Sequence, residues 1–483
     1  GNARVMGFKA EDDRLWFFTD RGVGACALKY EAGRYRADDF RFVDNASLKG
    51  CYIHDGEVLC LDGSGRVSVF LTDCGQWQPI TDIEALAAGR GEVSDMLTDD
   101  RGRLFVAFAT SGVVKLTPKS DGSFDCEDIG VKGGVFCLKA DRNQDIVWIG
   151  ADGNGLYLYV EDEYSFRTVT FADLRHRITR PVRAIYFDDY GTLWLGTKGD
   201  GILKIKNFKP WNRGERLKLE NVTKDNSLLL DNAVYAFAPS RHGGMWVGSD
   251  RGLNYARGSE GALSVVETEI PIPWVHDIYE ADDTTLWLAT VGSGVYRGHI
   301  AGDGGVPRLD RVTRLAIEDG NMSSNYFFTL HHEDNGHILA GNRGLGLFEV
   351  DGDNLRDIAL KGKYHTKMVN DVYAIAGDDK CRWLGTATGL LKMTPDGERL
   401  WNGNNGFPNS TVHSLMKDGD GNLWVSTNQG LVRFDLTTEN YQVYRRGNGL
   451  DVTEFSDGAA FKQDKTLFFG GINGFVVLQA NAD

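Results

Sequence analysis

The carboxylates and imidazoles offer the first chemistry to consider. Asp277, Asp371 and Asp457 lie near His276, Tyr373 and Phe455 along the chain, and His413 stands apart from all of them. Two carboxylates held at a fixed separation are what glycoside hydrolysis requires. His276 and His413 are not at metal-ligand spacing. The seven cysteines, Cys26, Cys51, Cys60, Cys74, Cys126, Cys137 and Cys381, contain no C-x-x-C pair. No metal and no cofactor are therefore expected. No segment forms a nucleophile elbow, a phosphate loop or an H-E-x-x-H helix. Arg175, His176, Arg177, Arg180 and Arg183 form a basic run, which is either a solvated face or an anion site at the mouth of a ring.

These groups gain meaning from the elements that must hold them. One unit recurs along the chain: an alternating strand, an Asp/Gly turn, an aromatic strand, a Gly turn and a further strand. The clearest copy is VRAIYFDDYGTLWLGT at 182–197, followed by GILKI at 201–205. The aromatic strand is centred on Trp16, Leu59, Phe105, Trp148, Trp194, Trp246, Trp287, Leu339, Trp383, Trp424 and Phe468, at intervals of 41 to 52 residues. A period of about 40–45 residues with four strands per repeat is the pattern of propeller blades. Seven of the 11 tryptophans occupy this one position, which assigns them to packing between blades rather than to ligand contact. Trp77, Trp211, Trp274 and Trp401 lie outside the register, and Trp274 is the aromatic most suited to a ligand.

The predicted fold is all-β, a β-propeller of about eleven four-stranded blades. The last seven copies suit one closed ring. The chain stops on a third strand, so the alternating stretch Ser165–Phe171 is expected to supply the missing fourth. The boundary is placed at 164/165, with residues 1–164 carrying four blades of a partial second propeller and 165–483 the seven-bladed ring; the alternative is that all eleven join in one unusually large ring. Composition agrees, since 60 glycines are about twice ordinary usage, as many tight turns demand. The formal net charge of −15 argues against a nucleic-acid partner. No apolar run is long enough to span a bilayer. The start at Gly1 reads as that of a mature or excised fragment. Cys51 and Cys60 flank a hairpin and read as small buried hydrophobes.

In a propeller, the segment leading into each first strand and the turn between the second and third strands lie on one face. Each blade thus presents two segments to one rim around the channel. The leading segments carry Arg180, Arg183, Asn232, Tyr235, Trp274, His276, Asp277, Asn325, Tyr326, Asn370, Asp371, Tyr373, Asn409, His413, Phe455 and Asp457. The turns add Lys198, Asp200, Asp250, Arg251, Asn342, Arg343, Asn428, Gln429 and Asn473. Amides, carboxylates and guanidinium groups beside aromatic faces suit sugar hydroxyls and ring faces. Asn, Asp and Ser at such points also cap turns, which is the commoner role for any one of them.

With the repeats written out, the chain resembles the two-component regulator propeller family. The resemblance is carried by DGDGNLWVSTNQGL and LFFGGINGF within residues 407–475, and by LRHRITRPVRAIYFDDYGTLWLGTKGDGILKI at 174–205. It implies the ectodomain of a hybrid two-component sensor histidine kinase on the periplasmic side of a membrane, with an oligosaccharide or similar polar ligand and a homodimeric assembly. The kinase would lie outside this chain, so no enzymatic activity is expected of it. The competing readings are a propeller lyase or glycosidase and a protein-interaction platform.

Overall fold

The computed structural model describes residues 2–11, 13–141, 144, 146–160, 164–302, 304–358, 370–408 and 411–480. The chain forms two compact units, Gly1–Glu161 and Asp162–Asp483. Among the described residues there are ten four-stranded antiparallel sheets and one three-stranded sheet, each a meander except the last, which takes one strand from earlier in the chain. They are numbered here as blades 1 to 11 in chain order. The repeat-centred residues from Trp16 to Phe468 all fall on the second strand of their sheet.

The first unit holds blades 1 to 4. Their innermost strands, Val5–Glu11, Leu48–His54, Val93–Thr98 and Val135–Ala140, neighbour one another in order. Blade 4 is the three-stranded sheet, and its Trp148 is only partly buried. Cys51 stands directly opposite Cys60 across the first hairpin of blade 2. Cys60 is buried and Cys51 partly so, and both are free thiols. A hydrogen bond with Cys51 and burial push the Cys60 thiol well above its usual range.

The second unit holds blades 5 to 11 as a closed ring. The innermost strands Val182–Phe187, Val234–Ser240, Val275–Asp282, Phe327–His332, Val372–Asp378, Val412–Lys417 and Phe455–Gln463 neighbour one another in sequence, and the last returns to the first. Closure is made by the strand Tyr164–Thr170, which pairs with Gly474–Ala480 as the fourth strand of blade 11. The N-terminal strand of the unit is thereby locked to its C-terminal blade, and the terminal sheet has no unpaired edge there.

The repeat residues show why the sequence folds this way. In blade 5, Asp188 Oδ1 accepts from the backbone N–H of Tyr190 at 3.0 Å and Thr192 at 2.8 Å, which forms the turn. Its Oδ2 accepts from the Trp194 indole at 2.9 Å. Asp418 and Trp424 repeat this in blade 10, also at 2.9 Å. One carboxylate therefore fixes both the turn and the tryptophan. The glycine two residues beyond is needed because neighbouring blades nearly touch. A Cβ on Gly248 would lie 2.6 Å from Val275, and one on Gly470 of the last blade 2.7 Å from Val182 of the first. The next residue, Thr197, is buried and donates its hydroxyl to Gly201 O at 2.8 Å, tying the turn into the third strand. Among the described residues, no helix is long and apolar enough to cross a membrane.

Candidate functional site

Each innermost strand of the ring begins with a buried apolar residue, Val or Phe, followed by an irregularity in pairing. The register shifts fall between Val182 and Ala184, Val234 and Ala236, Val275 and Asp277, Phe327 and Thr329, Val372 and Ala374, and Val412 and Ser414. The extra residue of a bulge is left out of the ladder and its side chain is re-aimed. The residues so displaced are Arg183, Tyr235, His276, Phe328, Tyr373 and His413. In blade 11 the shift is longer, from Phe455 to Ala460, and it displaces Asp457. That strand comes close to the innermost strands of blades 6, 8 and 9, beyond its immediate neighbours. The long bulge therefore reaches across the channel.

The seven side chains close a belt. The Arg183 guanidinium lies 5.2 Å from the Tyr235 ring centroid. Tyr235 stacks on His276 at 4.1 Å. His276 meets Phe328 at 6.5 Å, Phe328 meets Tyr373 at 4.9 Å, and Tyr373 meets His413 at 6.3 Å. His413 Nδ1 bonds the Asp457 carboxylate, and Arg183 Nη2 stands 3.7 Å from Asp457 Oδ2. The four aromatic rings from blades 6 to 9 make one arc, and the polar groups His413, Asp457 and Arg183 of blades 10, 11 and 5 make the other.

The electrostatics follow from burial. His276 is pushed down to about 3 by burial and by the nearby Arg183, so it is a neutral ring at neutral pH. Burial also raises the Asp457 carboxyl, but the His413 bond, the His413 charge and Arg183 outweigh it and hold the carboxyl below its usual range. Tyr373 is pushed up to about 12 by burial and by Asp457. His413 Nε2 lies 2.6 Å from Asn428 Oδ1, so both nitrogens of this imidazole are fixed.

Sequence reasoning named six of the seven belt residues. It missed Phe328, because the polar pair Asn325 and Tyr326 just before it drew attention. The signal that finds it is positional: one residue after the apolar start of each first strand.

The other nominated residues lie elsewhere. The exposed Trp274 and Arg343 flank the half-buried Tyr326 on the rim. Trp274 is 38% exposed and has a φ of 52°, a left-handed conformation uncommon for a bulky residue. Its backbone is held there by bonds to Asp250 O at 2.9 Å and from Val291 N at 3.1 Å. A Cβ on Gly292 would lie 3.1 Å from the Tyr326 ring and 3.3 Å from that of Trp274, so the two rings flank this glycine. The Arg343 guanidinium sits 5.7 Å from the Tyr326 centroid.

Several polar candidates serve the backbone. Asp277 accepts the N–H of Ile278 at 2.9 Å and that of Leu330 on blade 8 at 2.7 Å. Asp200 accepts the N–H groups of Thr179 and Arg180 at 2.7 and 2.9 Å. Asn325 is buried and clamps both backbone groups of Ile317, at 2.7 and 3.0 Å. The carbonyls of Asn370 and Asp371 accept from Gly344, Gly346 and Ala387. The Lys198 and Arg180 side chains are exposed. Asn409 lies outside the described residues. The basic run divides: Arg183 joins the belt, whereas Arg175 and Arg177 reach Leu217 O and Asn221 Oδ1 at the outer strand of blade 5. Among the described residues, no group of three or more His, Cys, Asp or Glu is placed to hold a metal ion.

Comparison with known proteins gives this architecture a context. The profile of the two-component regulator propeller matches residues 177–199 and 406–429. Histidine kinase P4 of Formosa agariphila is 40% identical over 76 residues, which is 16% of this chain and 6% of that protein. Among solved structures, the extracellular domain of one hybrid two-component system from B. thetaiotaomicron superposes with a TM-score of 0.52 at 19% identity, covering 98% of this chain and 61% of that one. The extracellular domain of a second such system from the same organism gives 0.51 at 14% identity, covering 98% and 63%. The chain thus spans less than two thirds of either solved chain, and at these identities the shared property is the fold. Two repeats of this chain thus match the two-component regulator propeller profile, and its eleven sheets have the β-propeller fold.

Proposed function

We propose that this chain is the ligand-binding part of an extracytoplasmic sensor in a two-component system, and that it binds an oligosaccharide or similar polar ligand on the rim of the seven-bladed ring. The observation that carries this reading is the group of exposed Trp274 and Arg343 with the half-buried Tyr326, beside a channel closed by the seven-residue belt. Aromatic faces beside a guanidinium suit the apolar faces and hydroxyls of a sugar. The strained Trp274 backbone supports the assignment, because non-glycine residues at positive φ cluster at ligand sites.

Binding rather than hydrolysis is favoured by the carboxylates. Asp277 is committed to backbone N–H groups, and Asp457 to His413 and Arg183. Neither stands as a member of an acid/base pair. Phosphotransfer would then belong to other domains of the system, as the resemblance to a histidine kinase and to extracellular sensor domains suggests.

The test is a thermal-shift screen of the chain against a panel of oligosaccharides. A ligand of the folded state raises the melting temperature by linkage. The expected result is a shift with one glycan class that is lost in Trp274→Ala and kept in Trp77→Ala. Release of products from a glycan, with no shift from any, would replace the sensor reading with an enzymatic one.

A further inference from the structure

The loop that follows the closing strand Tyr164–Thr170 and the loop at 207–217 of blade 5 enclose a pocket of about 340 Å3 at the outer strands of the ring, away from the belt. Arg167, Arg175, Arg213 and Arg216 line it, together with Asp173 and Glu215. Arg167 is 6% exposed. Its Nη1 donates to Lys209 O and Pro210 O, both at 2.8 Å, and its plane lies 5.0 Å from the Phe208 centroid. Arg213 donates to Phe166 O, and Arg175 Nη2 donates to Leu217 O at 3.1 Å. Among the described residues, Arg216 makes no hydrogen bond, and none of the four pairs with a carboxylate.

The two acids nearby are turned to other partners. Asp173 accepts from Thr170 N at 2.8 Å and Thr170 Oγ1 at 3.0 Å. Glu215 accepts from Asn212 Nδ2 at 3.2 Å. Two other basic groups of this unit are matched: Lys206 lies 2.7 Å from both Glu220 and Glu260, and Arg382 lies 2.6 Å from the buried Glu333. A guanidinium carries five N–H donors, so among the described residues most donors of this cluster meet no protein acceptor. Burial and the neighbouring Arg213 charge hold Arg167 below its usual range, against the opposing charges of Asp173 and Glu215. In a chain of net charge −15, such a patch concentrates positive potential at one point.

We propose that this pocket is a second binding site, for a tetrahedral oxyanion such as a sulfate or phosphate ester group on a ligand. A single guanidinium fork satisfies a planar carboxylate. Four guanidinium groups converging from separate segments suit a head group with three or four oxygens and more charge. The site is separate from the rim and does not require the rim to bind sugar.

The test is titration calorimetry of the full chain at constant ionic strength. The probes are inorganic sulfate, inorganic phosphate, a sulfated disaccharide and its unsulfated counterpart. Saturable binding of the sulfated disaccharide is expected, with none for the unsulfated form. At least tenfold weaker binding is expected in Arg213→Gln/Arg216→Gln. Both side chains are exposed, so the melting temperature should hold. Arg216→Gln alone, which removes no hydrogen bond, serves if the double variant does not fold. Free ions binding as tightly as the disaccharide would support the site and identify the anion itself as the ligand. Absence of saturable binding by any anion would overturn it, as would binding unchanged in the arginine variants. Trp274→Ala should leave anion binding intact, so failure of the rim and failure of this pocket can be told apart.

Discussion

The carboxylate of Asp277 on blade 7 accepts the backbone N–H of Leu330 on blade 8 at 2.7 Å. The first unit repeats this relationship: Asp95 of blade 3 accepts the N–H of Leu138 on blade 4 at 2.7 Å and that of the adjacent Met96 at 2.9 Å. In both, the acid follows the bulged residue of an innermost strand. A bulge frees a neighbouring N–H from the ladder, and a buried N–H needs an acceptor. The acid supplies one and joins two blades beside the channel.

This pairing gives a pH prediction with two opposed signs. Burial raises the Asp277 carboxyl to about 6, above the unfolded value near 3.9. Its contribution to stability is full below about pH 4 and is lost as pH rises through 6. His276, next to it, is lowered to about 3 from an ordinary value near 6.5. Its contribution is present above about pH 6.5 and is lost as pH falls toward 3. Between pH 4.5 and 7 the two slopes oppose each other, each by about 1–3 kcal/mol. Acidification should therefore destabilise His276→Phe less than the parent, and Asp277→Asn more. Urea midpoints at pH 7 and 4.5 read this directly. Equal slopes in all three proteins would show that neither group titrates differently on unfolding.

The Asp188–Trp194 contact predicts energetic coupling inside a blade. Asp188→Ala removes an acceptor of two backbone bonds and of the indole bond at 2.9 Å, and should cost about 1–3 kcal/mol. Trp194→Phe removes the indole donor and some of the packing around a ring only 2% exposed. In the double variant the losses should fall short of additive by about 0.5–1.5 kcal/mol. Strict additivity in chemical denaturation would mean that the indole bond adds nothing to the turn.

The blades were legible in the sequence because their determinants are local. An Asp-x-x-Gly turn, a Trp six residues after the Asp and a Gly-Thr pair lie within one stretch, as at Asp188, Trp194, Gly196 and Thr197. The closing strand was legible for a related reason: blade 11 lacked a fourth strand, and 165–171 alternated without a partner. The belt was only partly legible. Whether Phe328 faces the channel depends on a pairing shift between two strands, which leaves no mark on residue type. The roles of Asp277 and Asn325 were not legible either. An acid or amide that caps a backbone group and one that meets a ligand look alike until the acceptor geometry is known. The outer arginine pocket was only partly legible: Arg175 stood in the basic run, but Arg167 lies on the closing strand and Arg213 and Arg216 on a distant loop that only the fold brings near.

The last prediction concerns Gly292, which separates the rim rings of Trp274 and Tyr326. Its φ is 122°, and an added Cβ would approach Tyr326 at 3.1 Å and Trp274 at 3.3 Å. Gly292→Ala strains the backbone, at roughly 1 kcal/mol, and wedges a methyl group between the aromatic faces. The exposed Trp274 ring can turn toward solvent, so the fold should survive with a melting temperature lowered by a few degrees. The spacing between the rings will change, and with it the tryptophan emission from Trp274. If the rim is where a glycan stacks, affinity for the glycan found in the thermal-shift screen should fall by about tenfold or more, since stacking on an aromatic face depends on its placement. Anion binding at the arginine pocket should be unaffected. Unchanged glycan affinity, alongside an altered emission spectrum, would move the sugar site away from Trp274 and Tyr326.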